Sequence, residues 1–310
     1  VSRPALLLAL GGNALIRKGQ RGSVPEQLEN LRLPMAQAAR LAATHRLVIT
    51  HGNGPQVGGL LLMQECCTDP DLVRLPLEVL VAQTQGWIGY MIESTLDSEL
   101  MEQDQDPDTR LVSLISYVVV DPDDPAFQDP SKPVGPVLSE ARAQGAPFPV
   151  RRTAKGWRRV VASPRPVTIV EKREIRDLLD SGFVVVCCGG GGIPVVREGR
   201  TFAGVDAVID KDLASAVLAR EVGVDVFVIA TDVAGASLDY GTDAERVLGR
   251  VTAEELGGHL EAGHFPPGSM RPKVEACLEF LAHGGSRAAI CSLADIEAAA
   301  AGRAGTQVVP

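Results

Sequence analysis

A chain of 310 residues with 45% hydrophobic content can bury at least one large core, and its length admits one large α/β unit or two packed lobes. The net charge of −9, the pI near 5.2 and an aromatic content of 4% leave neither a basic stripe for phosphate backbones nor platforms for base stacking, so no nucleic-acid partner is expected. No run approaches the roughly eighteen uncharged apolar residues of a membrane span, and the opening VSRPALLLALGG lacks the pattern of a cleaved leader, which points to a soluble, cytoplasmic protein without a membrane partner. The six cysteines include the adjacent pairs Cys66/Cys67 and Cys187/Cys188 and no metal-site spacing, and they read as free, mostly buried thiols.

Along the chain, Ala5 to Leu10 is an unbroken apolar run ending in Gly11-Gly12-Asn13, as suits a strand covered on both faces that breaks into a tight turn. Ser23-Val24-Pro25-Glu26 has capping-box spacing, and Leu28, Leu31, Met35, Ala38, Ala39 and Ala42 continue it as an amphipathic helix. Leu47-Val48-Ile49 repeats the strand and closes on His51-Gly52-Asn53-Gly54-Pro55. Helical periodicity runs from about Leu77 to Leu100, and Leu111 to Val120 reads as a strand. From Asp121 to Pro166 prolines are frequent and no long period holds, which marks an inserted lid subdomain with short strands of its own. Phe183 to Cys188 is a third strand ending in four glycines, Asp225 to Ala230 a fourth closing on Thr231-Asp232, and Lys273 to Leu281 a helix leading to a strand at Arg287 to Cys291. The expected fold is α/β, a mainly parallel central sheet sandwiched by helices, in two lobes with an inserted lid.

The common nucleotide fingerprints are missing: no P-loop Gly-Lys, no G-x-G-x-x-G, no protein-kinase catalytic loop, and equally no G-x-S-x-G or H-E-x-x-H. Two scarce residue types stand out instead. Asparagine occurs only as Asn13, Asn30 and Asn53, and two of the three sit in the glycine turns after the first two strands. Either alone fits a left-handed turn as well as a ligand site; at corresponding positions beside glycine they favour an oxyanion site of backbone N–H groups. Of the 30 basic residues only Lys18, Lys132, Lys155, Lys172, Lys211 and Lys273 are lysine, whose compact ammonium suits a transferring phosphoryl group as a point charge. Lys18 and Lys172 read as surface cations, whereas Asp210-Lys211-Asp212 opens a helix and looks like a charge-organised site. His51 reads as a structural turn residue, and Asp232 fits a turn cap as well as a nucleotide contact.

Eight collinear blocks resemble the carbamate kinases: ALGGNA at 9–14, THGNGPQVG at 50–58, TQGWIGY at 84–90, DPSKPVGP at 129–136, GWRRVV at 156–161, CGGGGIPVV at 188–196, AVIDKDLAS at 207–215 and GHFPPGSMRPK at 263–273. The resemblance implies the amino-acid-kinase fold, with an acceptor lobe at 1–213 that includes the lid at about 121–166 and a nucleotide-binding lobe at 214–310. It implies reversible transfer between ATP and carbamate, giving ADP and carbamoyl phosphate, in arginine metabolism. Mg²⁺ would be held by the nucleotide phosphates rather than by protein side chains, and the chain would form a homodimer. By motif, Gly11, Gly12, Asn13, Gly52 and Asn53 would surround carbamate and the moving phosphoryl group. Lys211 and Lys273 would neutralise that group, Asp212 would orient the lysines, and Lys132 would reach in from the lid. Thr231, Asp232, Tyr240 and Met270 would join Lys273 at the nucleotide. Other kinases of the fold, acting on acetylglutamate, glutamate, aspartate or UMP, are not expected to carry the SKPVGP and GHFPPGSMRPK blocks. A silent binding protein derived from such a kinase would have lost a lysine or Asp212, and a nicotinamide oxidoreductase would carry the dinucleotide fingerprint; neither condition is met.

Overall fold

The computed structural model describes residues 3–67, 69–103, 109–153, 156–266 and 268–310, so that Lys155 and Pro267 lie outside the described residues. Strand β1 (Ala5–Leu10) is buried along its whole length. A strand with no polar face must be covered on both sides, and alternate residues do go to opposite layers: Ala5, Leu7 and Ala9 join one core, Leu6, Leu8 and Leu10 the other. Each leucine so buried contributes about 1.5–3 kcal/mol.

Helix α1 (Val24–Thr44) starts at the capping box of Ser23 and Glu26 and returns the chain to β2 (Arg46–His51), parallel to β1. Helices α2 (Gly54–Cys66) and α3 (Leu77–Glu102) lead to β3 (Arg110–Ser113), at one edge of the sheet. The apolar stretch 111–120, expected as one strand, is two: β4 (Tyr117–Val120) belongs to a different sheet. The break has a cause. The Gln85 amide of α3 accepts from the Ser116 N–H (2.8 Å) and donates to its carbonyl (3.2 Å), taking both groups out of strand pairing with β3's neighbour.

The insertion holds β5 (Lys132–Leu138), α4 (Glu140–Gln144), β6 (Val150–Thr153) and β7 (Gly156–Val161), the strands forming a three-stranded antiparallel sheet. This sheet presses on α2 so closely that a Cβ at Gly58 would stand 2.8 Å from the Gly135 Cα. After it come β8 (Pro166–Ile169), α5 (Lys172–Asp180), β9 (Phe183–Val186), β10 (Ile193–Glu198) and β11 (Thr201–Gly204). Then follow α6 (Lys211–Val222), β12 (Val226–Thr231), β13 (Ser237–Leu238), β14 (Arg246–Val247) and β15 (Arg250–Thr252). The chain finishes with α7 (Ala253–Glu261), α8 (Met270–Ala282), β16 (Arg287–Ser292), α9 (Ile296–Ala300) and β17 (Thr306–Val309).

The main sheet has eight strands in the order β15-β17-β16-β12-β1-β2-β9-β3, parallel from β16 to β3, with β17 antiparallel to β16. Helices α1, α3 and α9 cover one face and α5, α6 and α8 the other, which is the expected sandwich. Position 213/214 lies inside α6, and β1 pairs with strands from both sides of it, so one sheet runs through the whole chain. Strand order reverses at β1, and Leu10 stands opposite both His51 and Ala230. The turns after β1, β2 and β12 therefore emerge level at one edge, where a parallel sheet opens a crevice.

Candidate active site

Two cavities occupy that crevice. The larger, about 380 Å³, is lined by Gly11, Gly12, Asn13, Thr231, Asp232, Val233, Ser237, Tyr240, Pro266, Ser269, Met270 and Lys273. The smaller, about 200 Å³, is lined by Gly52, Asn53, Gly54, Lys132, Gly190, Asp210, Lys211, Asp212, Ser269 and Lys273, among others. Ser269 and Lys273 face both, which makes the two cavities one groove. A roomier apolar groove of about 690 Å³ beside α2 and residues 69–75 contains none of the lysines or glycine turns and lies away from this chemistry.

Helix α6 places the charges. Asp210 is its N-cap, accepting at Oδ1 from the amides of Asp212 (2.9 Å) and Leu213 (3.4 Å), so Lys211 and Asp212 are held in the first turn. Thr50, near the end of β2, donates to Ser215 Oγ (2.7 Å), and Ser215 spends its own proton on the Lys211 carbonyl (2.7 Å), which ties that turn to the sheet. Lys273, in the first turn of α8, donates to Asp212 Oδ2 at 2.9 Å, while Lys211 donates to Oδ1. From the insertion, Lys132 Nζ lies 2.8 Å from Asp210 Oδ2. Residues at the starts of α2, α6 and α8 line the smaller cavity, and helix N-termini favour an anion there.

Burial sets the electrostatics. It would raise the Asp212 carboxyl, but the ammonium groups of Lys211 and Lys273 outweigh it and hold Asp212 well below the usual carboxylate range. Lys211 is pulled below its ordinary value by burial, with Lys273 pushing the same way against Asp212. Burial also works to lower Lys273, yet attraction to Asp212 leaves it above its ordinary value. His51 is pushed down to about 4 by burial; neutral, it donates from Nδ1 to the Gly52 carbonyl at 3.1 Å, the structural place expected of it.

All the site residues expected from the sequence line this groove, divided in a way the sequence does not show. Gly11, Gly12 and Asn13 fall on the larger cavity, because the Gly11 N–H donates to the Ala230 carbonyl (2.9 Å) and draws the turn toward β12; Gly52 and Asn53 fall on the smaller. Two lining residues carry no role in the sequence reading: Asp210, which stands there only as part of the charged helix start Asp210-Lys211-Asp212, and Gly190, in the four-glycine turn. Gly190 adopts φ +66°, and a Cβ there would meet the Asn53 amide at 2.1 Å. The six cysteines are free, Cys66 exposed, Cys67 half-buried and the others buried; burial pushes Cys291 up to about 12. None of them lines either cavity.

The chain belongs to the amino acid kinase family, whose sequence profile matches residues 5–292. It is 46% identical to the carbamate kinase of Pyrococcus furiosus over 314 aligned positions, which take in 98% of this chain and 99% of that protein. The carbamate kinase of Halobacterium salinarum is 44% identical over 310 positions, with 98% of each chain covered. Among solved structures, the carbamate kinase of Giardia lamblia bound to AMP-PNP superposes with a TM-score of 0.89 at 36% identity, covering 99% of this chain and 98% of that one.

Proposed function

We infer that this chain is an ATP-dependent phosphotransferase that works as a carbamate kinase, interconverting ATP and carbamate with ADP and carbamoyl phosphate. The observation that carries the assignment of roles is the joined groove: a larger, more apolar compartment leads through Lys273 and Ser269 into a small one rich in ammonium groups and glycine amides. Adenine fits between Val233, Tyr240, Pro266 and Met270, the phosphates pass Lys273, and carbamate sits by Gly52 and Asn53.

Carbamate carries an anionic oxygen already, so no proton need be abstracted. That oxygen attacks the γ-phosphorus, the bond from phosphorus to the β-γ bridging oxygen breaks, and ADP leaves with the electron pair. The barrier is then a matter of alignment and of charge on the transferring group, which Lys211 and Lys273 face directly. Asp212 receives both lysines and fixes where their charges lie, and Lys132 closes the lid side against Asp210. A neutral His51 engaged with Gly52 is consistent with chemistry that has no general base.

Asp210 and Asp212 are both taken up by lysines, and no group of three metal-ligating side chains stands together among the described residues. This donor set fits Mg²⁺ carried in on the nucleotide phosphates, where the ion supplies further charge neutralisation. Among the described residues no helix is long and apolar enough to cross a membrane. The exposed Met63, Leu72 and Val73 around the apolar groove support assembly into a homodimer, which light scattering on the purified chain would test.

Carbamoyl phosphate, ADP and Mg²⁺ mixed with the protein should give ATP, and excess chelator should abolish it. Turnover unchanged in chelator would remove the metal from the scheme; ATP consumption with acetylglutamate, glutamate or UMP but no ATP from carbamoyl phosphate would overturn the acceptor.

A further inference from the structure

The carbamate site must hold an amino group as well as two oxygens; glycine amides and lysines offer only donors, and the carboxylates of Asp210 and Asp212 are already engaged by lysines. The side chain that differs is Asn53. Its Nδ2 donates to Thr84 Oγ1 of α3 at 2.9 Å, and Thr84 in turn donates to the Val81 carbonyl at 2.7 Å. A hydroxyl has one proton, and a carbonyl can only accept, so the Thr84 proton is spent on Val81 and Thr84 can only accept from Asn53. The amide is thereby prevented from flipping: its NH₂ faces Thr84. Its Oδ1 has no partner among the described residues, although Asn53 lines the small cavity. Gly190 leaves room for the amide, since a Cβ there would approach Nδ2 to 2.1 Å and Oδ1 to 2.5 Å.

We propose that Thr84 is a positioning residue that turns the Asn53 carbonyl oxygen toward the acceptor site, where it accepts a hydrogen bond from the amino group of carbamate and selects it over an acceptor bearing a methyl in that place. The inference rests on the carbamate reading of the small cavity. A free acceptor oxygen would repel a carboxylate or phosphoryl oxygen, so in a site whose carboxylates already hold lysines it is matched only by an N–H or O–H of the substrate. Discrimination of this kind is strong, because the analogue without the donor covers the acceptor and leaves it unpaired.

The test compares carbamoyl phosphate with acetyl phosphate as phosphoryl donors to ADP, reading the ratio of their kcat/KM values. The unaltered protein should prefer carbamoyl phosphate. Thr84→Val, nearly the same shape without the hydroxyl, should lower the ratio by about tenfold or more, and Thr84→Ser, which keeps the hydroxyl, should keep it within roughly threefold. Should the valine variant be insoluble, Thr84→Ala carries the same expectation. A parallel fall of both kcat/KM values in Thr84→Val would reduce Thr84 to a packing role and overturn the proposal. So would equal use of the two donors by the unaltered protein, an outcome that leaves the kinase assignment standing. Failure to make ATP from carbamoyl phosphate at all would instead strike the function proposed above.

Discussion

The two ends of the groove are built on different principles. At the acceptor end the charged side chains are buried and answer one another: the side chain of Asp212 is 5% exposed and that of Lys211 11%, and both sit in the first turn of a helix tied to β2. At the other end, the proposed nucleotide end, the lining comes from loops and the ends of strands and helices, with Asp232 and Tyr240 exposed and Val233 and Met270 only half-buried. The contrast follows from what each end must do. On the function proposed above, charge moves at the acceptor end, and a lysine displaced by an ångström would lose much of its effect on a transition state, so rigid elements hold it. A base bound largely by apolar contact tolerates looser walls.

The comparison breaks most sharply at the lysines. Lys211→Ala and Lys273→Ala should each lower kcat by roughly a hundredfold or more with the circular dichroism spectrum retained, and Lys211→Arg should not restore it, since a planar fork does not occupy the place of a point charge. A loss confined to KM for ADP would move that lysine to the nucleotide end.

A smaller effect, on stability, sits beneath the acceptor end at His51. Its folded value is about 4 against 6.5 for a free histidine. Between the two, the unfolded chain binds a proton that the folded chain refuses. Stability from this group is therefore complete above about pH 6.5, falls as the pH drops toward 4, and levels off below, a loss on the order of 3 kcal/mol. Urea unfolding at steps from about pH 7.5 to 4.5 should show a steeper decline for the native chain than for His51→Asn; parallel declines would mean another group titrates.

The smallest effect belongs at the nucleotide end. Tyr240→Ala should raise KM for ADP about threefold to tenfold with kcat nearly unchanged, as expected for an exposed ring that adds binding alone. A fall in kcat beyond about tenfold would show that the loop takes part in alignment after all.

Much of this was legible beforehand because the relevant signals are local. The strand-turn-helix rhythm, Ser23 and Glu26 at the start of α1, and the scarcity of lysine and asparagine can all be read within a few residues of each position. The stretch 111–120 reads as a single strand because only Ser113 and Ser116 interrupt its apolar residues; what divides it is Gln85, about thirty residues earlier, whose amide binds Ser116. Asp210 is legible as part of a charged helix start, but its partner Lys132 is 78 residues away in the insertion.

The sequence by itself determined that this is an α/β chain with glycine turns after buried strands and a proline-rich insertion between them, because burial periodicity and turn chemistry are properties of a segment and its immediate neighbours. Only the tertiary structure decided that the turn after β1 leans toward the larger cavity while the turn after β2 faces the smaller, that Asp212 stands between two lysines drawn from different helices, and that Thr84 turns the Asn53 amide. Those arrangements depend on which strands pair and how helices lie across them, and on the direction in which a single proton is donated, none of which a segment carries within itself.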